Sequence, residues 1–465
     1  MRIPSIMRHL VSHHHLRPAI ALPPFATGSC NSVCNSFVSS SSALGATASM
    51  SSASSRGSNA LALLPNYLVD AGGIEFYDER AAPEGCLQVS IAENHCVAPM
   101  MVEKVNDVQR NSVFTPDMIY YQNTYGMAGC RESMAGFMST IMGTPSQIDP
   151  EQLVIGAGCN AVLENLFVAL CEPGDEVLLP SPYYATFSFD LGCRAGVKLR
   201  ETEREWSEVE LEGNALTRAE TYYPQIEDLE LAYQRGEKKP KVLLLTNPHN
   251  PLGICMPKSV LDGLVEWAMG KGMHVVSDEI YAGSIHGQGF YSLAGEASKN
   301  QNVHVVYALS KDLGASGLRV GALLSSNEEV LAPVRKLNDL CQVSSTTQQL
   351  VEKMLGDKEW VAGFLKENMR LVRGRYERVL EACNEAGIKY LECDGGLYVW
   401  LDLRPWMREG ETEKDLGSRL IKEHGLLMTP GESMDMRCDG FFRLVFTAVG
   451  DAEFELVLER LRGLA

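Results

Sequence analysis

Lys311 stands in the run Ala308-Leu309-Ser310-Lys311-Asp312-Leu313-Gly314-Ala315-Ser316-Gly317-Leu318-Arg319-Val320-Gly321. A lysine amine held in a desolvated setting forms an imine with an aldehyde. Arg319 follows in the same run, and its guanidinium fork suits a phosphate. Together they suit an aldehyde cofactor that carries a phosphate. Upstream, the carboxylate of Asp278 can pair with a ring nitrogen and keep it protonated, which makes the ring an electron sink. Tyr281 and Asn250 can hydrogen-bond a phenolic oxygen and favour its ionised form. Near the C-terminus, Arg443 lies inside the apolar run Phe441-Phe442-Arg443-Leu444-Val445-Phe446. A cation there is costly unless paired, and its fork matches an α-carboxylate or an internal acid.

These residues must be held by elements of one kind. Lys241 to Leu245 is a short apolar run that reads as a buried strand and breaks at Asn247-Pro248-His249-Asn250-Pro251-Leu252-Gly253. A helical pattern over Val260 to Met269 closes at Gly270 and Gly272. A second strand, His274 to Ser277, then delivers Asp278, and a third, Val303 to Tyr307, leads to Lys311. Asn250, Asp278 and Lys311 thus fall at equivalent ends of successive strands, where open α/β sheets place ligands. Gly156-Ala157-Gly158-Cys159-Asn160 precedes an apolar helical run. Gly158, Cys159 and Asn160 are therefore candidates for a phosphate site at a helix N-terminus, although the same pattern also suits an ordinary tight turn. Pro182-Tyr183-Tyr184 after the strand Glu176 to Leu179 offers a ring that could stack on a cofactor or fill the core.

The Lys311 run resembles the cofactor-lysine segment of class I and II aminotransferases, and most closely that of 1-aminocyclopropane-1-carboxylate (ACC) synthases. The likeness extends over roughly Ala71 to Leu464 as an ordered set of motifs. It implies an α/β protein of the pyridoxal-phosphate-dependent transferase fold type I. A large domain would carry a mostly parallel, seven-stranded sheet flanked by helices, and a smaller α+β domain would close over the substrate. The boundaries read as residues 70–105 for an N-terminal segment joining the small domain, 106–338 for the large domain and 339–465 for the small one. The implied cofactor is pyridoxal 5'-phosphate. Lys311 would be its lysine and the general base, Ser310 and Arg319 its phosphate contacts, Tyr184 rather than Tyr183 its stacking ring, and Arg443 the substrate-carboxylate arginine. Ala92-Glu93-Asn94 matches the Ala-Glu-Asn of ACC synthases, which implies a substrate-site role for Glu93. No metal is implied.

Two departures bear on the reaction. The synthases carry Ser-Leu-Ser-Lys, where this chain has Ala308 first. They also read Phe-Gln-Asp-Tyr-His-Gly, where this chain has Tyr121-Gln122-Asn123-Thr124-Tyr125-Gly126. The tyrosine two before the glycine is replaced by Thr124, and Tyr121 sits where many ordinary aminotransferases place the tyrosine that reaches the partner subunit's phosphate. That implies a homodimer with shared active sites. The expected activity is amino transfer between an α-amino acid and a 2-oxo acid. An ACC synthase-type lyase acting on S-adenosylmethionine is the alternative, and a catalytically silent binding protein of the same fold is a remote one.

Composition is consistent with this. The chain has 465 residues, 45% of them hydrophobic, enough for a sizeable core in two domains. A formal charge of −18 and the lack of a basic stripe disfavour nucleic-acid binding. No apolar stretch approaches the ~20 residues of a membrane span. The 13 cysteines lack zinc or Cys-x-x-Cys spacing, which suggests reduced thiols. From Met1 to Val69 there is no acidic residue, while Arg2, Arg8, Arg17 and Arg56 accompany a serine-rich tract. Residues 1–69 therefore read as a mitochondrial or plastid transit peptide; the alternatives are a disordered tail or a true start at Met50, either of which suits a cytoplasmic protein.

Overall fold

The computed structural model describes residues 54–63, 65–67, 73–204, 211–212, 215–216 and 222–464. Most of the acid-free leader, residues 1–53, lies outside the described residues. Its last part includes the helix Ser55–Ala62, whose N-cap Ser54 accepts from Gly57 N.

In chain order the first strands are β1 (Leu87–Gln88), β2 (Leu153–Gly156), β3 (Glu176–Leu179), β4 (Lys198–Glu201), β5 (Leu211–Glu212) and β6 (Ala215–Leu216). There follow β7 (Val242–Thr246), β8 (His274–Asp278), β9 (Val303–Ala308), β10 (Gly321–Ser325) and β11 (Lys389–Leu391). The last are β12 (Tyr398–Asp402), β13 (Leu426–Leu427), β14 (Thr429–Pro430) and β15 (Phe441–Val445).

A seven-stranded sheet runs β2-β10-β9-β8-β7-β3-β4. β4, β3, β7, β8 and β9 are parallel, and β10 is antiparallel to both its neighbours. Both faces are covered, so these strands are continuous apolar runs such as Val242-Leu243-Leu244-Leu245 rather than alternating ones. Register fixes the functional edge. Thr246 pairs with Asp278, Asp278 with Val306, Gly321 with Ala308, and Gly321 with Gly156. The chain leaves β2, β7, β8 and β9 at one end of the sheet.

The smaller, mostly antiparallel sheet runs β14-β15-β12-β11-β6-β5. Its outer strands β5 and β6 come from within the sequence span of the large sheet, and β6 joins β11 through the pair Tyr390 and Ala215. β1 pairs in parallel with β13, and Val89 N donates to the Leu427 carbonyl, which ties the N-terminal segment to this layer. Before β11 the chain forms two successive helices, Ser345–Gly356 and Lys358–Ala386. The break is at Asp357, whose backbone leaves the helical region (φ −80°, ψ 84°) and whose side chain caps Trp360 N at 3.0 Å. Among the described residues no helix is long and apolar enough to cross a membrane.

Candidate active site

Lys311 projects from the turn after β9, where Gly314 N donates back to its carbonyl at 3.1 Å. Its Nζ donates to the Ala92 carbonyl at 2.6 Å. Withdrawal from water lowers the amine to about 8, against the smaller opposing effect of the Glu93 carboxylate. That brings a neutral, nucleophilic amine within reach of neutral pH. Asp278 ends β8 at 5% exposure, accepting from Ile280 N at 3.2 Å. Burial pushes its carboxyl up to about 7, and neighbouring Asp190 adds to the shift. A buried carboxylate held this way favours a cationic partner.

Asn250 and Tyr281 follow β7 and β8, both buried. Burial raises the Tyr281 phenol above its ordinary value, and the ring stands edge-on to Tyr398 at 5.3 Å. Arg443, in the middle of β15, is 2% exposed. Its Nη1 donates to Asn250 Oδ1 at 2.7 Å, and its Nη2 to the Ser90 carbonyl at 2.6 Å and Thr429 Oγ1 at 3.2 Å. The guanidinium lies over the Tyr398 ring at 5.2 Å. No acidic side chain is among these hydrogen-bond partners, and the buried Nε has no acceptor. Among the described residues, the internal salt bridge that would otherwise explain a buried arginine is not formed. The shape of the guanidinium suits a carboxylate.

The end expected from sequence to hold a phosphate lies where β2 meets the helix Cys159–Leu170. Gly158 has φ 91°, and a Cβ there would lie 2.5 Å from Arg319 Nη2, so only glycine admits the guanidinium this close. Arg319 adopts a left-handed backbone (φ 52°), a conformation that is costly for a side-chain-bearing residue and common at functional sites. Its Nη1 donates to the Ser316 carbonyl at 2.9 Å. Asn160 Nδ2 donates to Asp190 Oδ1 at 2.6 Å, and Cys159 Sγ lies 3.9 Å from Asp278 Oδ1.

A cavity of about 100 Å³ is lined by Cys159, Asn160, Tyr184, Asn250, Asp278, Tyr281, Ser310, Lys311 and Arg319 together with Asp190, Thr246 and Ser316. Arg443 reaches it through Asn250. Glu93 lies on the Ala92 side of Lys311, where its Oε1 accepts from Ser316 Oγ at 2.7 Å and its Oε2 lies 3.2 Å from His95 Nε2. Tyr184 rather than Tyr183 faces this cavity. Tyr183 lines a larger one of about 380 Å³ beside Glu413 and Leu427, which holds none of the site residues expected from sequence. Tyr121 stands apart, fully exposed. Sequence reasoning missed Asp190, Ser316, Ser90 and Thr429, whose roles come from side chains and carbonyls that meet only in the folded chain. It also passed over Asp312, which adjoins the lysine itself. Among the described residues no cluster of three or more metal-ligating side chains occurs.

Residues 91–461 match the family described as aminotransferase class I and II. The chain belongs to this family. It is 33% identical over 406 residues to 1-aminocyclopropane-1-carboxylate synthase 7 of Arabidopsis thaliana, covering 83% of this chain and 88% of that protein. It is 32% identical over 412 residues to synthase 1 of Oryza sativa subsp. indica, covering 83% and 82%. The fold matches aspartate aminotransferase of Thermus thermophilus with maleate (TM-score 0.70, 22% identity, 90% of this chain and 100% of that one). It also matches an aromatic aminotransferase of Pyrococcus horikoshii (TM-score 0.69, 20% identity, 83% and 96%).

Class I and II aminotransferases depend on pyridoxal 5'-phosphate, and the residues present fit that group. The buried Asp278 carboxyl suits its ring nitrogen, Asn250 and Tyr281 its phenolic oxygen, Lys311 its aldehyde, and Arg319 with the Gly158 turn its phosphate.

Proposed function

We propose that the protein transfers an amino group between an α-amino acid and a 2-oxo acid. When bound, the cofactor supplies the electron sink that makes a Cα proton removable. The remaining work falls to the chain. Arg443 takes the substrate carboxylate, exchanging its contact with Asn250 for a bidentate pair and fixing Cα beside Lys311. Lys311, with its amine lowered to about 8, takes the Cα proton and returns it elsewhere on the same face. Asp278 stabilises positive charge at the far end of the site. Tyr184 packs edge-on against Phe187 at 5.3 Å, which holds its ring at the cavity wall.

The choice of amino transfer rests on Thr124. Its hydroxyl donates to the Arg335 carbonyl at 2.6 Å inside this chain, and it offers no phenol where ACC synthases carry a tyrosine. Ala308 likewise lacks the hydroxyl of their first serine. The second reading, a synthase-type lyase acting on S-adenosylmethionine, is favoured by Glu93, whose carboxylate acts on the Lys311 amine. Homodimerisation, with Tyr121 reaching a partner subunit, belongs to the same proposal.

A single-turnover experiment separates the two. With amino acid and no oxo acid, amino transfer converts the bound cofactor stoichiometrically to its amine form. Release of methylthioadenosine from S-adenosylmethionine over many turnovers, with the cofactor spectrum restored, would overturn it.

A further inference from the structure

Asp312 follows the lysine and is wholly buried, at 0% exposure. Three donors converge on its two oxygens. Gly283 N and Tyr307 Oη donate to Oδ2 at 2.7 and 2.9 Å, and Ser284 Oγ donates to Oδ1 at 2.6 Å. Tyr307 belongs to β9, whereas Gly283 and Ser284 belong to the turn after Tyr281, in which Ser284 N donates to the Tyr281 carbonyl at 2.9 Å. The approach is close, since a Cβ on Gly283 would lie 2.9 Å from Oδ2. The contacts continue outward. The Ser284 carbonyl accepts Gly396 N at 2.9 Å, at the entrance to β12, and β12 pairs with β15 through Trp400 and Arg443.

We propose that Asp312 is a positioning residue that locks the Lys311 turn to the turn bearing Tyr281 and, through Ser284 and Gly396, to the sheet that carries Arg443. The proposal rests on Lys311 being the cofactor lysine. A carboxylate suits the place because it accepts on both oxygens. An asparagine keeps one acceptor, for Gly283 N and Tyr307 Oη, only by turning its NH2 toward Ser284 Oγ, which must then accept rather than donate. The lysine's own contact, Nζ to the Ala92 carbonyl, leaves its reach to be set by the backbone beneath it. A displacement of about 1 Å at a reacting group can cost on the order of a hundredfold in rate.

Asp312→Asn removes the double acceptor, while Ser284→Ala and Tyr307→Phe each delete one donor and spare the carboxylate, so the test does not depend on one variant folding. Three readouts are taken on each purified variant: the pH titration of the bound cofactor's absorbance, the rate at which apoprotein takes up pyridoxal phosphate, and kcat against KM. The expected result for Ser284→Ala is a displaced titration midpoint, slower uptake and a kcat about tenfold lower, with KM for the amino acid changed less than about twofold. Asp312→Asn and Tyr307→Phe should move the same three readouts in the same direction. A fall in Tm with titration, uptake and kcat unchanged in all three variants would overturn the proposal. If wild-type protein takes up no cofactor, or takes it up on another lysine, the underlying reading fails instead.

Discussion

Asp278 shows how one residue's surroundings set its chemistry. Its carboxyl is held at about 7 instead of the ordinary 3.8, mainly because burial penalises the charge. The folded value lies above the unfolded one. Its contribution to stability is therefore complete below about 3.8 and is lost progressively as pH rises from there to about 7, because over that range the unfolded chain's carboxyl ionises while the buried one stays protonated. Asparagine has nearly the same shape and no charge to bury. Apoprotein with Asp278→Asn should match wild type in Tm near pH 3.8, gain on it steadily as pH rises from about 3.8 to about 7, and keep a constant margin above that, while binding pyridoxal phosphate more weakly. Thermal melts of both apoproteins across that range check this. A Tm difference that stays constant with pH would show that Asp278 is not buried as a neutral acid.

At the scale of elements, the site is the shared end of β2, β7, β8 and β9, with β15 brought over it. The Gly158 turn illustrates the demand on each junction, with φ 91° and Arg319 against its Cα. Gly158→Ala should strain the turn and push Arg319 off the phosphate position, raising the Kd for pyridoxal phosphate about tenfold or more. Titration of apoprotein with the cofactor measures it, and an unchanged Kd would remove Gly158 and Arg319 from the phosphate site. Much of this edge was legible in the sequence, because buried parallel strands are unbroken apolar runs and the polar residues that end them stand out: Asn250 after Leu245, Asp278 after Ser277, Lys311 after Ala308. Other features were not legible. The break at Asp357 interrupts a helical pattern that is apolar on both sides of it, and only the capping contact to Trp360 N reveals it. The β5 and β6 strands join a sheet remote in sequence, a pairing no local pattern encodes. Ser90 and Asp312 are ordinary residues until Arg443 and Gly283 are brought against them.

For the whole molecule, two layers of different origin complete one site: the large, mostly parallel sheet and the turns at its end supply Lys311, Asp278, Asn250 and Arg319, and the smaller sheet supplies Arg443. The N-terminal strand β1 and the Ala92 carbonyl that receives the lysine amine link the two. The central claim is that pyridoxal phosphate is carried by Lys311 and by no other lysine. Borohydride reduction of the holoprotein followed by peptide mass mapping tests it most directly. The expected result is a single phosphopyridoxyl label on the peptide containing Lys311, lost in Lys311→Ala. A label on a different lysine, or none on a protein that has taken up the cofactor, would contradict it.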